Sequence, residues 1–176
     1  MPGERPGREP EVAKIPHMNP GSERADLSES DLSALEARIT KIPITTTLGF
    51  RSMELGRGRC RMLVPRRKEY DGIFESFHGG LLMTIADSAA AFAVLTLAGP
   101  DAKITTTDMN IRFLAAALTD VTVTAEVIKF GRTLVPVQAT IDDASGRRVA
   151  IAQVTYMRLW SVAQPRSGVP MDGRST

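Results

Sequence analysis

The spacing of apolar residues changes character several times along the chain, and each change marks an element. In "SESDLSALEARITKIP", Leu32, Leu35 and Ile39 recur at helical spacing, with Ser30 or Asp31 as N-cap and Pro43 as stop; this predicts a short amphipathic helix over about 30–41. The period then falls to two. "LGFRSMEL" and "RCRMLVP" flank Gly56-Arg57-Gly58, and Cys60, Met62 and Val64 alternate with Arg59 and Arg61, as in a hairpin. A run that is greasy on almost every side follows, from about 79 to 98, and Gly99-Pro100 closes it. Four strand-like runs come last: "KITTTDMNIRFL", "DVTVTAEVIKF", "LVPVQATIDD" and "RVAIAQVTYMRLW". Gly131 and "DDASGR" mark turns between the later ones.

A helix apolar all round needs covering all round, so the order of elements predicts an α+β fold in which an antiparallel sheet wraps a long central helix. One sheet covers only part of such a helix, and the remaining face calls for a partner subunit. The single domain is expected over 28–160. Residues 1–27 are rich in Pro, Gly and charge and are expected to be disordered, and 161–176 form a flexible tail.

Composition narrows the partners. A formal charge of +2 over 176 residues gives no reason to expect nucleic acid. The single cysteine, Cys60, excludes an internal disulfide and suits a reducing, cytoplasmic setting. The polar, proline-rich N-terminus lacks the apolar core of a secretory signal. Leu81–Ala98 is barely long enough for a membrane span and carries Asp87, so no span is expected. One Cys and two distant His, His17 and His78, offer no metal cluster, and no phosphate-binding Gly-rich loop is visible, so neither metal nor cofactor is expected.

Asp87 is the residue that asks for a function. A lone acid among Leu, Ile, Ala and Phe is costly to bury without a partner. His78-Gly79-Gly80, an acid nine residues after that histidine, "TTTDMNIRFL" and "KFGRTLVPVQATI" occur in this order. Together they resemble the hotdog-fold acyl-CoA thioesterases of the phenylacetate-catabolism (PaaI-like) and 4-hydroxybenzoyl-CoA thioesterase type, over roughly 44–159. The resemblance implies a hotdog fold that dimerises through sheet and helix, as a homodimer or a dimer of dimers (a homotetramer). It also implies hydrolysis of a CoA-linked aromatic or medium- to long-chain acyl thioester.

The resemblance casts Asp87 as general base or nucleophile and the Gly79 backbone amide as oxyanion donor. Physics supports the second role: a helix start has free N–H groups and the positive end of the dipole, and glycine lets a ligand come close. The plain alternatives are a tight turn for Gly79 and Gly80 and, for Asp87, an acid that caps or pairs with a neighbouring subunit's backbone. His78 either shapes the oxyanion turn or is an ordinary turn histidine. Thr106 either orients the attacking water or is simply a good strand residue. Gly80, Thr107, Arg132, Thr133 and Asp71 are the remaining candidates for substrate or CoA contact, Arg132 because a guanidinium suits phosphate. Arg66, Arg67, Lys68 and Arg158 are weaker candidates for that duty, and Asp108 and Asn110 are expected to hold strand and helix in register.

Gly79 and Asp87 lie eight residues apart, roughly 12 Å along one helix at about 1.5 Å per residue. A single carbonyl cannot meet both, so the site is expected to be shared between two antiparallel copies. Three departures from the family bear on substrate range and rate: Gly72 where Asn or Gln is common, Glu75 where Gly is usual, and Ala116 where Pro is common. The competing readings are a non-catalytic or slow acyl-CoA binder and a hotdog hydratase or dehydratase.

Overall fold

The structure, a computed structural model, describes residues 28–159. The expected tails, 1–27 and 161–176, lie outside the described residues. α1 (Glu29–Ile39) is amphipathic as its pattern implies, with Leu35 and Ile39 fully buried. Its N-cap is Ser28 rather than Ser30 or Asp31: Ser28 is extended, and its hydroxyl oxygen accepts from the Asp31 N–H at 3.1 Å. The helix thus begins a turn ahead of its first apolar residue, where the cap can satisfy a free N–H.

Pro43 does not simply end a helix. It occupies the first turn of a second one, α2 (Pro43–Leu48), where its missing N–H is not needed. The β-branched run Thr45-Thr46-Thr47 hides this helix from propensity. It ends at Gly49, whose φ of 70° is left-handed.

Six antiparallel strands make one sheet in the order β1-β2-β4-β5-β6-β3. They are β1 (Arg51–Gly56), β2 (Arg59–Val64), β3 (Lys103–Phe113), β4 (Val121–Val127), β5 (Leu134–Asp143) and β6 (Arg148–Leu159). β2, β4 and β5 alternate buried and exposed positions, so one face is core and the other faces outward. Against the buried face lies α3 (Gly79–Ala98), with the small residues Ala86, Ala89, Ala90 and Ala93 all at 0% exposure, which lets helix and sheet approach closely. α3 has the length and mean hydropathy (1.9) of a membrane span, but it is the core helix of this sheet.

The expectation that α3 is apolar all round needs correction. Its uncovered stripe is Gly80, Met83, Thr84, Asp87, Ser88 and Ala91, spaced for one helical face and mostly small or polar. Thr84 and Ser88 donate their hydroxyls back to the Gly80 and Thr84 carbonyls, at 3.0 and 2.8 Å. That satisfies them within the helix and leaves a smooth surface suited to another helix. β3 ends the sheet with a free edge.

The segment before α3 is a small hairpin. Asp71 and Phe77 bridge antiparallel, Gly72 N–H donates to the Ser76 carbonyl (2.8 Å), and Glu75 N–H donates to the Gly72 carbonyl (3.2 Å). Closing this turn requires a left-handed residue at position 75, and Glu75 has φ 50°, the only non-glycine with positive φ among the described residues. That accounts for glycine at this position in the family that the sequence resembles, because a side chain in the left-handed region costs roughly 1–2 kcal/mol. Glu75→Gly should raise unfolding stability by about 1 kcal/mol, net of glycine's extra chain entropy. Urea titration of the two proteins checks it; an unchanged or lower midpoint would mean that the turn does not carry this strain.

Candidate active site

Asp87 finds its partners across the sheet. Thr106 Oγ1 donates to Asp87 Oδ1 at 2.9 Å, and the Tyr156 hydroxyl lies 2.6 Å from the same oxygen and 2.8 Å from the Asp87 carbonyl. Both donors converge on Oδ1, and Oδ2 accepts no hydrogen bond from the described residues. Burial first, and then the hydrogen bond to Asp87, push the Tyr156 phenol well above its ordinary range. It therefore stays protonated, and a donor, through neutral pH.

Register explains the convergence. Thr106 is directly opposite Tyr156 on the neighbouring strand, and paired residues share a face. The next pair is Asp108 with Thr155, so Thr107 is an extra residue, a one-residue bulge in β3. Without the bulge, Thr106 would share the outward parity of Asn110 and Arg112. The bulge turns Thr106 inward, towards α3. Thr107, by contrast, donates to the Thr155 carbonyl at 3.1 Å.

The start of α3 is built by its glycines. His78 is the N-cap, and its Nδ1 accepts from the Gly80 N–H at 3.0 Å. Accepting through Nδ1 puts the ring proton on Nε2. A Cβ at Gly80 would stand 3.1 Å from that nitrogen, and one at Gly79 would stand 3.1 Å from Phe113 Cζ. Gly80 thus spends its N–H on the cap. The Gly79 N–H has no acceptor among the described residues and is the free donor at the positive end of the helix.

The remaining predicted residues are placed as follows. Asp71 is gripped by Arg66 through both oxygens, at 2.8 and 2.5 Å, and Arg66 also donates to the Leu118 and Glu75 carbonyls. This pair braces the hairpin that leads into His78, so neither residue is offered to a ligand. Arg132 and Thr133 are exposed in the turn before β5. Val135 pairs with Tyr156, which puts that turn at the Asp87 end of the sheet. Arg158 braces the turn, its guanidinium 4.6 Å from the Phe130 ring and its N–H on the Thr133 carbonyl. Asn110 accepts from Arg112 on its own strand rather than tying strand to helix. Tyr156 went unnoticed in the sequence because a single Tyr in an alternating strand reads as core; only pairing places it over Asp87.

Gly79 and Asp87 remain apart within one chain. Gly79 lies beneath Phe113 and Asp87 beside Thr106, seven residues along β3, about 23 Å of strand. α3 is unbroken between them, so the axial separation of roughly 12 Å stands.

The model of the thioesterase superfamily matches residues 74–150, which hold both groups. Over those residues the chain is similar to the thioesterase superfamily, and its fold is the hotdog fold. Its chemistry is thioester hydrolysis. Among solved structures, it is 28% identical to a thioesterase family protein from Silicibacter pomeroyi, covering 73% of this chain and 97% of that one at a TM-score of 0.67. The PaaI protein of the E. coli phenylacetic acid degradation operon is 20% identical, with 76% and 96% covered and a TM-score of 0.70. A thioesterase from Haemophilus influenzae is 17% identical, with 72% and 90% covered and a TM-score of 0.66. The last two show the fold. No curated protein matches the chain by sequence.

In this thioesterase, Tyr156→Phe keeps the ring and removes the donor to Asp87. Unfolding stability should fall by about 1–2 kcal/mol, the order of one buried hydrogen bond. Thermal melts of Asp87→Asn and of the double variant check the coupling: the Tyr156 effect should shrink when the carboxylate is already gone.

Proposed function

We propose that this protein is an acyl-CoA thioesterase whose active site joins Asp87 of one subunit to the Gly79 amide of another. The observation that carries the reading is a carboxylate held through one oxygen and open at the other, on the same helix as a free amide too distant to serve it. Asp87 Oδ2 takes a proton from the water that attacks the thioester carbonyl, or attacks it directly to give a mixed anhydride that water then hydrolyses, freeing the acid and restoring Asp87. The Gly79 N–H of the partner receives the oxyanion, and collapse expels the CoA thiolate. Thr106 and Tyr156 act through Asp87 as positioning residues, and His78 acts by holding the helix start open for Gly79.

Two copies of α3 packed antiparallel along the small-residue stripe, with β3 edge to edge, bring the groups together and close the free sheet edge. The unit is a homodimer or a dimer of dimers. In this reading Arg132 and Thr133, exposed at the Asp87 end of the sheet, contact the CoA phosphates. The free, buried thiol of Cys60 supports a reducing, cytoplasmic setting. His78 spends Nδ1 on the Gly80 N–H, which speaks against a hydratase built on that residue.

Thiol release from a panel of short, medium, long and aryl-acetyl CoA esters should be measurable and should persist in EDTA. No turnover on any of them would leave an acyl-CoA binder. Asp87→Asn should lower kcat by roughly two orders of magnitude or more with KM little changed; near-normal turnover would make Asp87 structural.

Complementation tests the sharing. His78 has ψ 129°, a conformation that tolerates a following proline, so Gly79→Pro removes the N–H at little backbone cost beyond a small shift of Phe113. Mixed with Asp87→Asn after subunit exchange, it should recover about one quarter of wild-type activity, because half of random dimers are mixed and each holds one intact site. A dead mixture despite exchange would place both groups within one chain.

A further inference from the structure

The hairpin that leads into α3 turns two large apolar side chains outward: Ile73 is 89% and Phe74 85% exposed. Phe113, Leu114 and Leu118, at the same end of β3, are each more than half exposed. So much apolar surface on one rim marks a contact. At the other end of β3 lies an open groove of about 400 Å³ between α1, α3 and the start of the strand. Ile39, Ile42, Phe92, Leu95 and Ile104 line it, and Arg38 and Lys103 stand on its rim.

Within one chain the protrusion and the groove cannot meet, because Lys103 and Phe113 are ten residues apart, about 33 Å of strand. The shared site, on which this inference rests, changes that. If Gly79, beneath Phe113, faces the partner's Asp87, beside the partner's Thr106, then Phe113 pairs near the partner's Thr106 across the twofold. Continuing that antiparallel register sets Ala116 opposite the partner's Lys103, which brings the hairpin tip to the mouth of the partner's groove. Charge agrees: Glu75 is exposed at the tip and has no side-chain partner among the described residues, while the rim of the groove is basic. Twofold symmetry makes the contact twice.

We propose that Ile73 and Phe74 of each subunit seat in the partner's groove between α1, α3 and the start of β3, with Glu75 against Arg38 and Lys103. The occupant of the groove is thus a second copy of this chain.

Two single-cysteine additions test it: Phe74→Cys in one chain and Ala102→Cys, on the groove wall, in another. Native Cys60 stays silent at pH 8, because it is fully buried and burial pushes its thiol up to about 12. After subunit exchange, a short bis-maleimide should join the two different chains into one covalent dimer. Phe74→Cys mixed with Arg59→Cys, on the strand next to the opposite sheet edge, should not crosslink. Absence of the mixed crosslink in a sample that sediments as a dimer would overturn the inference. Complementation of Asp87→Asn by Gly79→Pro in the same exchanged samples separates the two ideas: restored activity without the crosslink removes this contact alone, and neither signal removes the shared site as well.

Discussion

The structure depends on the pairing of one carboxylate with the sheet that wraps its helix. Asp87 interrupts a helix whose neighbours are Ile85, Ala86, Ala89 and Ala90, all fully buried. Tyr156 and Thr106 reach the same Asp87 oxygen from adjacent strands. That arrangement fixes the rotation of α3 over the sheet. It also decides which stripe of the helix the sheet leaves uncovered.

The same economy governs the start of α3. A helix start leaves several N–H groups unsatisfied, and this one satisfies one of them with the His78 ring. A Cβ at Gly80 would crowd the His78 ring that makes the cap, and one at Gly79 would press on the Phe113 ring and shift it slightly. The two glycines therefore have separate reasons. Upstream, Arg66 ties Asp71, Glu75 and Leu118 together, and the Tyr70 carbonyl accepts the His78 N–H at 2.8 Å, so the loop presents the cap in one position.

Departures from the family pattern are most informative where the backbone can be inspected. Glu75 sits in a left-handed turn position that glycine would occupy without strain, and it places a negative charge beside two exposed apolar side chains. Gly72 contributes only backbone to the hairpin, its N–H closing on Ser76. Asp71 could have stood in for the missing amide, but Arg66 holds both of its oxygens.

The order of elements, the limits of the central helix and the alternation of the later strands were legible in the sequence, because they follow from the period of apolar residues and from glycine and proline signals that act within a few positions. Asp87 stood out for the same local reason, as a charge in the wrong company. The second short helix was not legible, since Pro43 reads equally as a stop and a start. Neither was Tyr156, nor the inward turn of Thr106. Strict alternation sends Thr106 outward with Asn110 and Arg112, and a single extra residue at Thr107 reverses it. Strand register is decided between segments distant in the chain, by hydrogen bonds that no local pattern records. Only the folded sheet could bring Thr106, Tyr156 and Asp87 to one point.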